Sequence, residues 1–441
     1  MVRVNPVECE ETTYHHGSHR DLLESPVDPS PIPRNVNAII VPTARPPAYL
    51  TEAVELAGAL GCTLVTMHSG KWTTAAQAAE RFGAGVDLIA IDVPGPDRLH
   101  LPDWETSRLL AEASRLLAGN PFARRTDLSL KRNLALMLSH MLGWSRILFL
   151  DDDITGLNPD DVRKASGLLD TYNAVGLQIG GFPDNSVVCH AYRQAGGEQQ
   201  SFIGGGALAV ELERSTSFFP DIYNDDWFFL LDGDKRLQPT SVTGQVVQYP
   251  YDPFRTPERA RAEELGDVLA EGIYWLLDQG RSIADADRGH WGRFLKRRAR
   301  FIEDVLAMVR ADDALGSHEK DRRIAALKGA LGRLALITPS LCESYLQAWT
   351  ADRRQWQRHV EELPTRQQLP DALAALSGQG CPPLKSQPAE KNGQPTADMR
   401  LKPYRPPVPE PPEGEGVVAA GVDSLVSAAP EQSDNFAPEP A

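Results

Sequence analysis

A run of four apolar residues, Ile147, Leu148, Phe149 and Leu150, stops on three consecutive acids, Asp151, Asp152 and Asp153. The run has the length and composition of a strand buried on both faces of a parallel sheet. Such a sheet needs crossover helices, and it places ligands at the carboxyl ends of its strands. Side chains alternate along an extended backbone, so Asp151 and Asp153 are expected on one face and Asp152 on the other. Three adjacent carboxylates repel one another and are costly to desolvate. A divalent cation would remove most of that cost. Mg²⁺ takes one or two carboxylates and fills its remaining positions with water and phosphate oxygens. A solvated acidic turn is the alternative reading.

The flanking sequence fits the parallel sheet. Residues 35–43 read as a first buried strand, 49–60 as a helix closed by Gly61, and 62–68 as a second strand. Residues 73–82 form an Ala-rich helix and 86–93 a third strand. The opening is therefore β-α-β-α-β, an α/β arrangement. A helical piece at 104–117 follows, then a helix at 128–142 that Thr126 or Asp127 would cap and Gly143 would stop. Asn158 and Pro159 announce the next helix.

From residue 174 the texture changes. Segments 174–180, 186–193 and 206–212 read as strands of a more antiparallel region, and 242–249 as a further strand. Beyond Pro257 the chain is amphipathic and helical, over 258–279, 287–310, 319–335 and 340–362. Lys296, Arg297, Arg298 and Arg300 make a dense basic stretch, read as a solvated helix surface or a contact for phosphate or an acidic partner. The expected organisation is a loose arm at 1–34, a sheet domain at 35–255, a helical extension at 256–377 and a disordered Pro-, Glu- and Ala-rich tail at 378–441. His15, His16 and His19 in the arm have nothing in the sequence to fix a metal geometry.

A formal charge of −15 argues against a nucleic-acid partner, which needs a basic face. Five scattered cysteines without metal-type spacing suggest free thiols in a reducing compartment. No apolar run reaches the length of a transmembrane segment, and a cytoplasmic protein is expected.

Taken in order, these pieces resemble the GT-A fold nucleotide-sugar glycosyltransferases, closest to the inverting family-2 type: a Rossmann-like mixed sheet flanked by helices. Pro42 and Thr43, with Arg45 behind them, are similar to the loop that contacts the nucleotide. Ser69 stands in the second-strand turn, where the usual Asp is absent. Lys131 and Arg132, followed by Asn133, resemble the start of the helix before the metal strand. Asp151, Asp152 and Asp153 match the Asp-x-Asp motif, and Asp225, Asp226 and Trp227 resemble the motif that carries the base. The likeness covers about residues 35–255.

The resemblance implies transfer of a sugar from a UDP- or GDP-sugar to an acceptor hydroxyl, with Mn²⁺ or Mg²⁺ on Asp151 and Asp153. The metal would neutralise the departing diphosphate. Asp152 is a candidate for ribose or sugar hydroxyls, and Arg45, Lys131 and Arg132 for the diphosphate, though each base also suits a salt bridge. Asp226, and next Asp225, is the candidate general base; the same pair would also suit a helix N-terminus. Gly204, Gly205 and Gly206 would let backbone approach the sugar, or simply form a tight turn. Trp227 would stack on a sugar face or sit in the core. His190 and His290 are possible third ligands, more readily explained as ordinary histidines. A retaining outcome, a nucleotidyltransferase and a non-catalytic sugar-nucleotide binder stay open. The second of these lacks a Gly-rich loop after the first strand.

Overall fold

The computed structural model describes residues 19–24, 31–115, 117, 121–122, 126–181, 186–198, 202–233, 236–378 and 380–387. The first three strands are β1 (Ala38–Thr43), β2 (Thr63–His68) and β3 (Leu88–Asp92), and helices α1 (Thr51–Leu60) and α2 (Ala75–Phe82) connect them. Then come α3 (Glu105–Arg115), α4 (Leu128–Leu142), β4 (Arg146–Leu150), β5 (Ile154–Thr155), α5 (Pro159–Leu168) and β6 (Ala174–Gly181). After α6 (Val187–Gln194), β7 (Ala207–Glu211) and α7 (Asp225–Phe229) there is a small hairpin, β8 (Leu231–Asp232) and β9 (Arg236–Leu237), and then β10 (Thr240–Gln248). The rest is α8 (Pro257–Asp278), α9 (Arg288–Ala311), α10 (Ser317–Leu334), α11 (Pro339–Glu362), α12 (Leu369–Ala375) and β11 (Ser386–Gln387).

The large sheet runs β11-β3-β2-β1-β4-β7-β6-β10-β5. β1 pairs parallel with β2 and β4, and β2 with β3. β7 is antiparallel to both β4 and β6, and β10 is parallel to β6. It follows that β1, β2, β3, β4, β6 and β10 all end at one edge, and that β7 begins there. This edge gathers Thr43, His68, Leu150 with the acids behind it, and Gln248.

Alternation along the strands divides the core in two. Ala38, Ile40, Ile147, Phe149, Leu208 and Val210 face one cluster with α4 and the C-terminal helices. Ile39, Val41, Leu148, Leu150, Ala207 and Ala209 face the other with α1, α2 and α5. The helices after Pro257 therefore share one core with the sheet. These are the helices of the extension expected at 256–377.

Four local expectations meet a different structure. Residues 186–193 form a helix although Val187 and Val188 favour strands. Ser186 caps it by accepting from Cys189 N–H at 3.3 Å, and Glu263 accepts the Val187 N–H at 2.8 Å. The stretch at 1–34 is not wholly loose, because Glu24 N–H bonds Thr240 O at 2.9 Å and Arg34 pairs with Asp170 at 2.9 Å. Residues 1–18, with His15 and His16, lie outside the described residues. The expected tail is ordered where it begins: Ser386 and Gln387 add an antiparallel strand to β3. Most of that stretch, 388–441, is outside the described residues. The basic stretch also divides. Arg298 turns inward onto Glu264 at 2.9 and 3.0 Å and Asp267 at 2.6 Å, while Arg297 lies over the Trp275 ring. Among the described residues no single helix is long and apolar enough to cross a membrane. Cys62, Cys189, Cys342 and Cys381 are free thiols.

Candidate active site

β4 ends at Leu150 and the chain turns at once, the Ile154 N–H bonding Asp151 O at 3.2 Å. Strand alternation therefore stops before the acids. The expected pairing of Asp151 with Asp153 is replaced by a different one. Arg45 reaches Asp152 at 2.5 Å and Asp153 at 3.0 Å with the two arms of its guanidinium. Thr43 Oγ1 donates to the other oxygen of Asp152 at 2.6 Å. Asp151 instead accepts from Arg132 at 3.2 Å. Burial raises the pKa of Asp152 above the usual carboxylate range, against the pull of Arg45 and Thr43. Burial also opposes the charge on Arg45, but Asp152 and Asp153 outweigh it and hold its pKa above the ordinary value.

Lys131 and Arg132, one residue apart on α4, have different tasks. Lys131 Nζ donates to Thr43 O at 2.9 Å and Ser69 Oγ at 2.6 Å, and pairs with Asp127 at 3.0 Å. It ties the ends of β1 and β2 to the start of α4. Asp127 is drawn into this pair and makes no side-chain cap. Arg132 is buried and joins two stretches far apart in sequence, with Nη2 on Asp151 and Nη1 on Asp225, both at 3.2 Å. Its guanidinium lies over the Phe219 ring, and its Nε has no hydrogen-bond partner.

Asp225 is buried and also accepts from Ser129 Oγ at 2.9 Å. It positions Arg132. Asp226 is half-buried at the cleft, and its carboxylate accepts from Gly205 N–H at 2.7 Å and Trp227 N–H at 2.9 Å. Burial first, then the charge of Asp225, push its pKa above the ordinary value, while Arg132 and the two N–H groups pull it back. Asn224 supplies the left-handed turn before α7 at φ 60°, a conformation Asn tolerates, and makes no side-chain cap.

The three glycines are explained by close approach. A Cβ on Gly204 would lie 3.0 Å from Asp226 Oδ2, on Gly205 2.7 Å from Arg132 Cζ, and on Gly206 3.1 Å from Asp151 Oδ2. The loop before β7 thus packs against the base candidate, the bridging arginine and the first strand-tip acid in turn. Trp227 is half-buried, packing on Tyr274 at 4.7 Å and Phe202 at 5.3 Å between ring centroids. Asp151, Arg132, Gly204, Gly206, Asp226 and Trp227 line an open cleft together with Gln248. Pro42 and Thr43 are buried at the end of β1, and Ser69 beside them is held by Lys131.

The histidines do not join the acids as ligands. His190 bonds Tyr251 at 2.9 Å, and burial lowers its pKa to about 3. His290 bonds Gly272 O at 2.9 Å in the interface of α8 with α9. Among the described residues no three His, Cys, Asp or Glu side chains form a ready metal cage. The donor set is instead one or two strand-tip carboxylates beside a cationic side chain. That chemistry suits a hard oxygen-seeking cation completed by ligand phosphates.

Several cleft residues were not anticipated: Phe202, Tyr223, Gln248, Asp267 and Glu271. Gln248 carried a usable signal, since it closes a strand that ends at the ligand edge. Asp267 and Glu271 lie on α8, and nothing in a solvated-looking helix pattern assigns them to a cleft.

No protein-family model and no curated protein sequence matches the chain. Among solved structures it is similar to the mannosyltransferase PcManGT from Pyrobaculum calidifontis, in complex with GDP-Man and Mn2+. The identity is 16%, over 77% of this chain and 92% of that one, with a TM-score of 0.38. A likeness at that distance says nothing about the chemistry of this chain.

Proposed function

We propose that this chain is a metal-dependent glycosyltransferase of the GT-A type that moves a sugar from a UDP- or GDP-sugar to an acceptor hydroxyl with inversion. The observation that carries the reading is the Arg132 bridge between Asp151 and Asp225. Asp151 and Asp226, some 75 residues apart in sequence, line one cleft with Arg132 between them.

Asp151 and Asp153 would hold a Mg²⁺ or Mn²⁺, which would supply Lewis acidity and charge neutralisation for the diphosphate. Arg45 is 42% exposed at its side chain, and its guanidinium would turn from Asp152 and Asp153 to phosphate oxygens. Asp226 takes the proton of the acceptor hydroxyl as that oxygen attacks the anomeric carbon. The bond from that carbon to the diphosphate oxygen breaks, and its electron pair leaves with the nucleoside diphosphate. A raised pKa makes Asp226 a better proton acceptor than an ordinary aspartate. Asp225 keeps Arg132 in place.

The test is transfer from UDP- and GDP-sugars with Mn²⁺, read together with donor-induced thermal shift. Asp226→Asn is expected to lower turnover at least about 100-fold, the scale of general-base catalysis, with donor binding retained. In the wild type the acid limb of the rate profile should lie above the ordinary aspartate range. Full turnover by Asp226→Asn, or donor binding indifferent to both Mn²⁺ and Asp153→Ala, refutes the assignment.

A further inference from the structure

The N-terminal segment reaches the wall of the cleft. His19 is buried there against α7 and α8. Its Nδ1 donates to Asp278 at 2.5 Å and its Nε2 to Glu271 at 3.1 Å. Its ring meets Trp227 and Tyr274 edge-on, each at 5.4 Å between centroids. Glu271 and Trp227 both line the cleft. The segment is fixed again at β10, where Glu24 N–H bonds Thr240 O at 2.9 Å and Ser241 Oγ donates to Glu24 O at 2.8 Å. Arg20, Leu23 and Glu24 also line a small cavity with Phe202 and Ile203, two residues that line the cleft as well.

A chain of contacts leads from His19 to Asp226. The Trp227 N–H donates to the Asp226 carboxylate at 2.9 Å, and Tyr274 Oη donates to Trp227 O at 2.9 Å. A shift of Trp227 therefore disturbs a hydrogen bond of the candidate base. The charge on His19 bears on this. An imidazolium donates from both nitrogens, whereas a neutral ring donates from one. Loss of the proton would release either Glu271 or Asp278, and a buried carboxylate stripped of a donor is costly. Burial opposes the charge, but the two acids outweigh it and raise the pKa to about 9. The groups that face the ring are Glu271, Tyr274 and Asp278 from α8 and Trp227 from α7. Burial first, then Asp226 and Asp278, hold the Tyr274 phenol well above its ordinary value, so it keeps its proton across that range.

We propose that the segment from His19 to Glu24 is part of the active site and that His19 is a positioning residue for Asp226, acting through Trp227. Its role in turnover rests on the glycosyl-transfer reading; its hold on Trp227 does not.

Fluorine NMR of the full chain labelled with fluorotryptophan tests the hold, with the Trp227 signal assigned by Trp227→Phe. In the wild type that signal should shift as the pH rises through about 9 and His19 loses its proton. His19→Gln should remove the step and displace the signal at neutral pH. Asp278→Asn, which changes no residue lining the cleft, should move the step to lower pH. Turnover of UDP- and GDP-sugars with Mn²⁺ tests the consequence. His19→Gln should lower kcat about tenfold and leave the donor dissociation constant unchanged, because the base is the group displaced. A wild-type Trp227 signal without a pH step, an unmoved signal in folded His19→Gln, or a kcat unchanged by that substitution overturns the proposal. A Trp227 step in a protein that turns over no donor defeats the transferase reading and leaves the hold on Trp227 standing.

Discussion

Gly205→Ala is the most searching single-atom perturbation of this site. The new methyl carbon would sit 2.7 Å from Arg132 Cζ and 2.8 Å from each terminal nitrogen, where contacts of about 3.5–4.0 Å are comfortable. Arg132 or the loop must then move by about 1 Å. Arg132 has little room, because it is buried against Phe219 and its two bonds to Asp151 and Asp225 are already long at 3.2 Å. Overpacking of this kind costs about 1–3 kcal/mol. The Gly205 N–H also holds Asp226 at 2.7 Å, so the shift carries the candidate base with it. A misplacement of about 1 Å at a reacting group can cost about 100-fold in rate. Urea unfolding should therefore show a loss of about 1–3 kcal/mol, and transfer assays a fall of about 100-fold in turnover. Gly292→Ala on α9 is the control. Its added methyl meets nothing within 4 Å, so the change should be neutral or stabilise by up to about 1 kcal/mol. A Gly205→Ala protein with wild-type stability and turnover would refute the close-approach account of the glycine loop.

Two further outcomes follow from buried charge. His19 lies between Asp278 at 2.5 Å and Glu271 at 3.1 Å. Burial opposes its charge, but those acids raise its pKa from 6.5 to about 9, a difference corresponding to about 3 kcal/mol. Because the folded value is the higher one, this contribution is fully present below about pH 6.5 and is lost as the pH rises through about 9. His19→Gln should flatten the decline in stability across that window, and a decline of unchanged slope would count against the assignment. Arg298→Ala leaves Glu264 and Asp267 buried without their cation and should cost about 3–5 kcal/mol in urea unfolding. A loss below about 1 kcal/mol would mean that the acids had found protons or water instead.

What was legible in the sequence was what local periodicity and end signals encode. The β-α-β-α-β opening, β4 and its acids, and the helix at 128–142 were all readable, because apolar spacing and a terminating glycine act over a few residues. The short order of motifs also singled out Asp226, Gly204 and Arg132, which the fold brings to one cleft. Their division of labour was not legible. Lys131 and Arg132 are neighbours in sequence, yet one staples strand ends and the other bridges two acids, because about 100° of helix turn separates their side chains.

The amino-acid order by itself determined the long strands β1 to β4, β6, β7 and β10, most of the helices and the identity of the acids, since each depends on its neighbours in the chain. Only the tertiary structure decided which acid meets which cation. A turn after Leu150 cancelled the strand alternation, and Arg45 and Arg132, reaching in from other elements, reassigned Asp151, Asp152 and Asp153. It also turned Val187 and Val188 into a helix, through a cap from Ser186 and a carboxylate from α8. The contacts from Arg45 and Glu263 span 107 and 76 residues of chain, and they win over local preference because desolvating a charge or an unpaired N–H costs more than the propensity differences among side chains.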